Sequence, residues 1–163
     1  RGAGKIPEKK CPNCGGDGRV RADKNTEVNI PAGIKNGQTI KIDGEGEAAA
    51  RRGAAGDLYI TIHVKPHEYF DRQDDDIYYE LESAFTQLVL GDKIKVPSLT
   101  GDVKLKIPAN TPPGRLFRLK GLGAPHLDKR GYGDMYVRIK LKMPDPLTRE
   151  QRKFIEELKQ QGL

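Results

Sequence analysis

A chain of 163 residues has room for one ordinary domain or two small ones. Apolar residues make 36%, and 19 glycines bring the sum near the roughly 45–50% of globular proteins, which excludes wholesale disorder. Four Phe, six Tyr and no Trp imply a modest core or several small ones. The formal charge of +6 raises nucleic acid or an acidic surface as a partner. The 29 Lys and Arg are nevertheless spread among 23 acidic residues, with dense runs such as Lys9-Lys10 and Arg51-Arg52 reaching only pairs. That pattern reads as solvated strand faces and loop tips. No apolar run approaches the roughly 20 residues of a membrane span, and Arg1 to Lys10 lacks the apolar stretch of a signal peptide.

Cys11-Pro-Asn-Cys14-Gly-Gly-Asp-Gly18 is loop chemistry. Two thiolates two residues apart can grip one metal ion, and the glycines let backbone amides turn toward the sulfurs. A structural zinc needs four ligands, and His63, His67 and His126 stand far off in strand or loop contexts. The spacing therefore predicts a zinc half-site. A redox pair and an inert pair remain as alternatives, the former without the surrounding βαβ pattern it would need. Two cysteines in this arrangement, without a leader, fit a reducing cytoplasm.

Val28-Asn-Ile-Pro-Ala-Gly33 returns as Leu105-Lys-Ile-Pro-Ala-Asn110, with Ile30 falling on Ile107 at an offset of 77 residues. The offset then runs without a gap. Gly37 falls on Gly114, Ile40 on Phe117, Ile42 on Leu119, Gly44 on Gly121 and Gly46 on Gly123. Gly56-Asp-Leu-Tyr59 falls on Gly133-Asp-Met-Tyr136, and Ile62 on Ile139. Matched glycines mark matched tight turns, because only glycine enters positive φ without steric cost. Two copies of one β unit is the physical reading.

Within each copy apolar and polar residues alternate with period two. Val103, Leu105 and Ile107 precede Pro108; Phe117 and Leu119 precede Gly121; Met135, Val137, Ile139 and Leu141 form the longest run. Asn36-Gly37 and Gly101-Asp102 are turn signals. Asp74-Asp-Asp76 predicts a hairpin turn; a calcium loop would need alternating oxygen ligands and a distant Glu. Ile77 to Pro97 supplies opening strands for the second copy, with one short helical turn possible in Ser83 to Leu90. The first copy has no such opening, which implies a fragment of a longer protein. At the end of the chain Thr148 and Gln151 predict a capping box. Phe154, Ile155 and Leu158 form an apolar stripe at helical spacing, and Gly162 a stop. A helix of about 13 residues is marginal alone, so its stripe must pack on a second copy or on the chain itself.

The expected fold is mostly β: two similar small sandwich or barrel domains in tandem plus a short C-terminal helix. The expected boundaries are 1–22 for the cysteine-rich remnant, 23–68 for the end of a first β domain, 69–146 for a second, and 147–163 for the helix. No catalytic constellation is legible: the histidines have no plausible catalytic nucleophile or carboxylate neighbours in sequence, and Gly121-x-Gly123 precedes Ala-Pro rather than a helix. An enzyme is not expected. A nucleic-acid module is the main rival, disfavoured by interleaved charges and the lack of an aromatic platform.

Taken together these residues resemble the DnaJ family, in its zinc-containing class. Cys11-x-x-Cys14-Gly-Gly-x-Gly18 is similar to its C-x-x-C-x-G-x-G repeat, which occurs four times in that family, and Arg1-Gly-Ala-Gly-Lys5 resembles the tail of the repeat before. The Val28 segment, Gly44-Glu-Gly-Glu47, Gly56-Asp-Leu-Tyr59, His67-x-x-Phe70-x-Arg72, Leu90-Gly-Asp92, Val96-Pro-Ser-Leu-Thr-Gly101 and Lys120-Gly-Leu-Gly123 follow the family in order, over essentially the whole chain. The resemblance implies a chaperone region that binds unfolded polypeptides and delivers them to the seventy-kilodalton heat-shock chaperone. It implies a homodimer joined through Phe154, Ile155 and Leu158, and a zinc module inserted in the first β domain. Cys11 and Cys14 match the fourth repeat, whose zinc partners lie in the first. Zinc is thus expected in a full-length protein and either absent or incompletely ligated here. The J domain's His-Pro-Asp does not occur in these residues. The client groove carries over to Thr26 and Phe70, with Val28 and Ile30 beside Thr26 on the same strand face. A core or hinge role for Phe70, and core roles for Val28 and Ile30, are the alternatives.

Overall fold

A computed structural model describes residues 12–14, 20–49 and 53–162, and the chain divides into two units, Arg1–Lys65 and Pro66–Leu163. The fold is mostly β with a C-terminal helix, as expected. The first unit holds one antiparallel pair, β1 (Thr39–Ile42) and β2 (Leu58–Thr61). The second begins with a hairpin, β3 (Phe70–Gln73) and β4 (Asp76–Ala84), whose turn sets Asp74 at φ 56°. Asp is among the few residues that tolerate that region, so the acidic triplet is a turn.

A single short helix, α1 (Phe85–Leu90), follows β4. The Gln87 side chain accepts the Ala84 N–H at 3.0 Å, and Gly91 at φ 79° ends the helix. A Cβ on Gly91 would lie 2.8 Å from the Ala109 nitrogen, so only glycine fits there. The hairpin β5 (Asp92–Ser98) and β6 (Gly101–Ile107) is next, then β7 (Leu116–Leu119), β8 (Met135–Lys142) and α2 (Arg149–Gln160). In α2 the Thr148 hydroxyl accepts the Gln151 N–H at 3.2 Å, and the Gln151 side chain accepts the Thr148 N–H at 3.0 Å, the expected box.

Strands β3, β4, β8 and β7 form one sheet in that order, with β4 and β8 parallel from Ile77↔Met135 to Ala84↔Lys142. The parallel pair was not legible in sequence, since its partners lie more than fifty positions apart and each strand alternates as any half-buried strand does. The alternation itself is faithful: Met135, Val137 and Ile139 of β8 are buried with Ile77 and Leu81 of β4. Leu88, Val96, Leu105, Ile107 and Ala124 complete the core, so the β5–β6 hairpin closes over the inner face of the four-stranded sheet.

The two copies match at the level of individual bonds. Thr39↔Thr61 to Ile42↔Leu58 in the first unit is Leu116↔Arg138 to Leu119↔Met135 in the second. Gly37 donates to the Ile62 carbonyl at 2.8 Å, and Gly114 to that of Ile139 at 2.8 Å. Gly46 and Gly56 bond at 2.8 Å, and Gly123 and Gly133 at 2.9 Å. Gly44 and Gly121 share φ values of 71° and 70°. One expectation differs: residues 26–30 form no strand, although their counterparts 103–107 are β6. Strand β6 exists because β5 bonds along its length. Nothing among the described residues stands in the place of β5 beside Thr26 to Ile30, and an unpaired segment has no ladder to hold it.

Candidate functional site

Each copy is fastened by an aspartate. Asp57 accepts the Gly44 N–H at 3.1 Å and pairs with Lys41 at 2.8 Å. Asp134 accepts the Gly121 N–H at 2.8 Å and receives the Arg118 Nε at 2.6 Å. The Lys41 ammonium, then the Gly44 amide, hold the Asp57 carboxyl below its usual range. For Asp134 the Gly121 amide is the larger cause and Arg118 the next. The sequence showed Gly-Asp as a repeat marker and, at 133–134, as a turn signal; the use of the carboxylate became visible once β1 and β7 lay beside it.

In the second unit the β3–β4 hairpin adds further ties. Asp76 accepts the Asp134 N–H at 2.7 Å, Asp75 O accepts the Ala124 N–H at 2.8 Å, and Asp75 Oδ2 lies 2.7 Å from His126 Nδ1. Folding brings Asp75 to His126 across 51 positions, a pairing that the sequence order did not suggest. The pair joins the hairpin to the loop before β8. In the first unit nothing among the described residues occupies the corresponding place, and the outer edge of β2 carries no strand. The bonds of Ile62 point inward to Gly37 and Gln38, so alternation turns the Tyr59 and Thr61 amides outward. Tyr59 is 63% exposed, whereas its counterpart Tyr136 stacks on Tyr78 at 5.1 Å.

The expected binding residues fall in both units. Thr26 Oγ1 donates to Glu45 at 3.1 Å, and Glu45 also meets Lys24 at 2.6 Å. Lys24 first, then Thr26, lower the Glu45 carboxyl. Val28 is half-buried and Ile30 is exposed. Phe70 lies in the second unit on β3, half-buried among Tyr69 at 4.7 Å, His67 at 5.0 Å and Tyr79 at 5.8 Å. Burial raises the Tyr79 hydroxyl. Thr26 and Phe70 are thus not joined within either unit. Cys11 lies outside the described residues, and Cys14 is a half-buried free thiol. Among the described residues no three His, Cys, Asp or Glu side chains gather as a metal set.

Helix α2 buries none of its residues. Phe154, Ile155 and Leu158 are 65%, 47% and 40% exposed. With Phe85, Leu90, Leu141, Met143 and Leu147 they line adjoining apolar recesses, the larger about 700 Å³. The stripe leans toward its own unit and is still largely open. No helix among the described residues is long and apolar enough to cross a membrane.

Among the described residues the chain therefore presents a repeated β module on glycine turns, a strand edge without a partner and an exposed apolar helix face. The model of the DnaJ C terminal domain matches residues 5–144. The chain is 48% identical to the Chaperone protein DnaJ of Halalkalibacterium halodurans, over 98% of this chain and 43% of that protein. It is 48% identical to that of Parageobacillus thermoglucosidasius, over 95% and 41%, and 43% identical to that of Oceanobacillus iheyensis, over 99% and 43%. This chain belongs to the DnaJ C-terminal domain family, and it spans about two-fifths of the length of these relatives.

Proposed function

We propose that this chain is the client-holding region of a DnaJ-type cochaperone, a non-enzymatic protein of the cytoplasm that keeps unfolded polypeptides for the seventy-kilodalton heat-shock chaperone. The open edge of β2 carries this reading. A binder of many sequences needs contacts that every polypeptide offers, and an edge strand presents main-chain donors and acceptors to any extended segment. Tyr59 beside that edge adds apolar area, and Val28, Ile30 and Thr26 extend the surface within the same unit. Phe70 contributes its aromatic cluster in the second unit. Two weak sites on one body hold a long client better than one, and the exposed Phe154, Ile155 and Leu158 supply an apolar face on which two copies can join. Cys11 and Cys14 would provide two of the four thiolates of a structural zinc, a metal that would stiffen the glycine-rich loop around them.

The test is suppression of aggregation of a denatured model protein by this chain and by its Thr61→Pro variant. Proline at an outward-facing edge position removes one amide and leaves the β1 ladder intact. A severalfold loss of suppression, with amide exchange in β1 unchanged, is expected. Full suppression by the variant would remove the β2 edge from the reading.

A further inference from the structure

The β5–β6 hairpin turns one face to the core and the other outward. The outward face carries Lys93 directly opposite Lys106 and Lys95 directly opposite Lys104. All four are exposed, and none makes an ion pair among the described residues. The one acid on this face, Asp102, sits opposite Pro97 at the turn end. Like charges directly opposite one another weaken a sheet, so a hairpin selected only to close the core has no use for two such pairs in succession.

The repeat strengthens the point. Leu105 and Ile107 have apolar counterparts in Val28 and Ile30, the inward positions, but Lys104 and Lys106 correspond to Glu27 and Asn29. The module therefore requires the apolar residues and leaves the outward ones free, and only the second unit fills them with lysine. Two further features bear on what the lysines meet. The hairpin is a two-stranded sheet with no third strand on either edge among the described residues. At the Lys93–Lys106 end a recess of about 380 Å³ opens beside Leu90, Pro108 and Ala109.

We infer that the outer face of the β5–β6 hairpin docks an extended polypeptide segment with acidic residues at alternate positions. A strand added to either edge bonds through its main chain, and its carboxylates at i and i+2 stand about 6–7 Å apart, the spacing of lysines two apart along β5 or β6. An apolar side chain of the same segment has the recess beside Leu90 as a seat. Nucleic acid fits this face poorly. Residues 92–107 contain no aromatic side chain on which a base could stack, and the free edges offer main-chain pairing that a nucleic acid cannot use. The site lies wholly in the second unit and shares no residue with the β2 edge.

The test uses the whole chain and a fluorescent peptide of about eight residues alternating Glu with Thr or Val, long enough to cover one strand. Its controls are the same composition with the acids in one block and a single-stranded DNA of equal charge. Expected are anisotropy binding of the alternating peptide that weakens with salt, and amide shifts confined to residues 90–109. A loss of at least about tenfold is expected when Lys93, Lys95, Lys104 and Lys106 are all changed to Gln. The Lys95→Gln/Lys104→Gln pair should lose part of the affinity. These exposed changes relieve repulsion and leave the core amides unmoved, which the same spectra check. Equal binding of the block peptide or of the DNA, undiminished binding by the Gln variants, or no binding by the unaltered chain would each overturn the inference.

Discussion

Residues 37–62 and 114–139 share their strand register, their positive-φ glycines and their aspartate clamps, but they end in different states of burial. In the second unit Met135, Val137 and Ile139 are at most 1% exposed, whereas Leu58, Ile60 and Ile62 at the same places stay half-buried. The clamping carboxylates follow suit, Asp134 at 17% side-chain exposure and Asp57 at 34%. The difference lies outside the repeated residues. The second unit has β4 parallel to β8 and the β5–β6 hairpin over the inner face, and among its described residues the first has neither. Backbone bonds fix the conformation of the module, and neighbouring elements decide whether its apolar face leaves water. A fully buried Val, Leu or Ile contributes about 1.5–3 kcal/mol over an exposed one. Among the described residues the hydrophobic stabilisation is therefore concentrated in the second unit, and in the first the outer edge of β2 carries no strand.

The largest contrast is expected in the core. Ile139→Ala should cost about 2–5 kcal/mol, and Ile62→Ala about 1 kcal/mol or less, measured by urea unfolding followed at amides of each unit. Equal losses would show that the first unit also encloses a core. A smaller, matched effect is expected at the crossing glycines. A Cβ on Gly46 would lie 2.6 Å from Asp57 O, and one on Gly123 would lie 2.5 Å from the Gly133 carbonyl carbon. Both obstacles are backbone, so Gly46→Ala and Gly123→Ala should each cost about 1–3 kcal/mol, read as lost exchange protection of the Gly56 and Gly133 amides. An unaffected Gly46→Ala would mean that the first turn is not held. The smallest effect is acid sensitivity. Asp57 and Asp134 are lowered in the folded chain, so their stabilisation is complete above the ordinary carboxylate range near about 4. It is lost as pH falls through the lowered values. Asp134→Asn should flatten the acid limb of the second unit's stability and Asp57→Asn that of the first; an unchanged limb would remove the clamp from the account.

The repeat was readable because glycine at positive φ is a residue-level signature, and so were the Thr148–Gln151 cap and the alternation in β8. Less of the candidate site could be read. The strand expected at Thr26, Val28 and Ile30 does not form, since no partner lies beside it among the described residues, and no local pattern reveals that. The roles of Asp57 and Asp134 depend on Lys41 and Arg118 arriving from another strand. Phe70 and Thr26 were drawn together by resemblance, and they lie in separate units.

Periodicity, glycine placement and capping chemistry are properties of neighbours along the chain, and from them the sequence determined a twice-written β module, its turns and its terminal helix. The parallel union of β4 with β8, the facing lysines of β5 and β6, the meeting of Asp75 with His126 and the unequal burial of the two copies came only with the tertiary structure. Each depends on which distant strand lies alongside, and a backbone edge presents the same amides and carbonyls to any strand that reaches it.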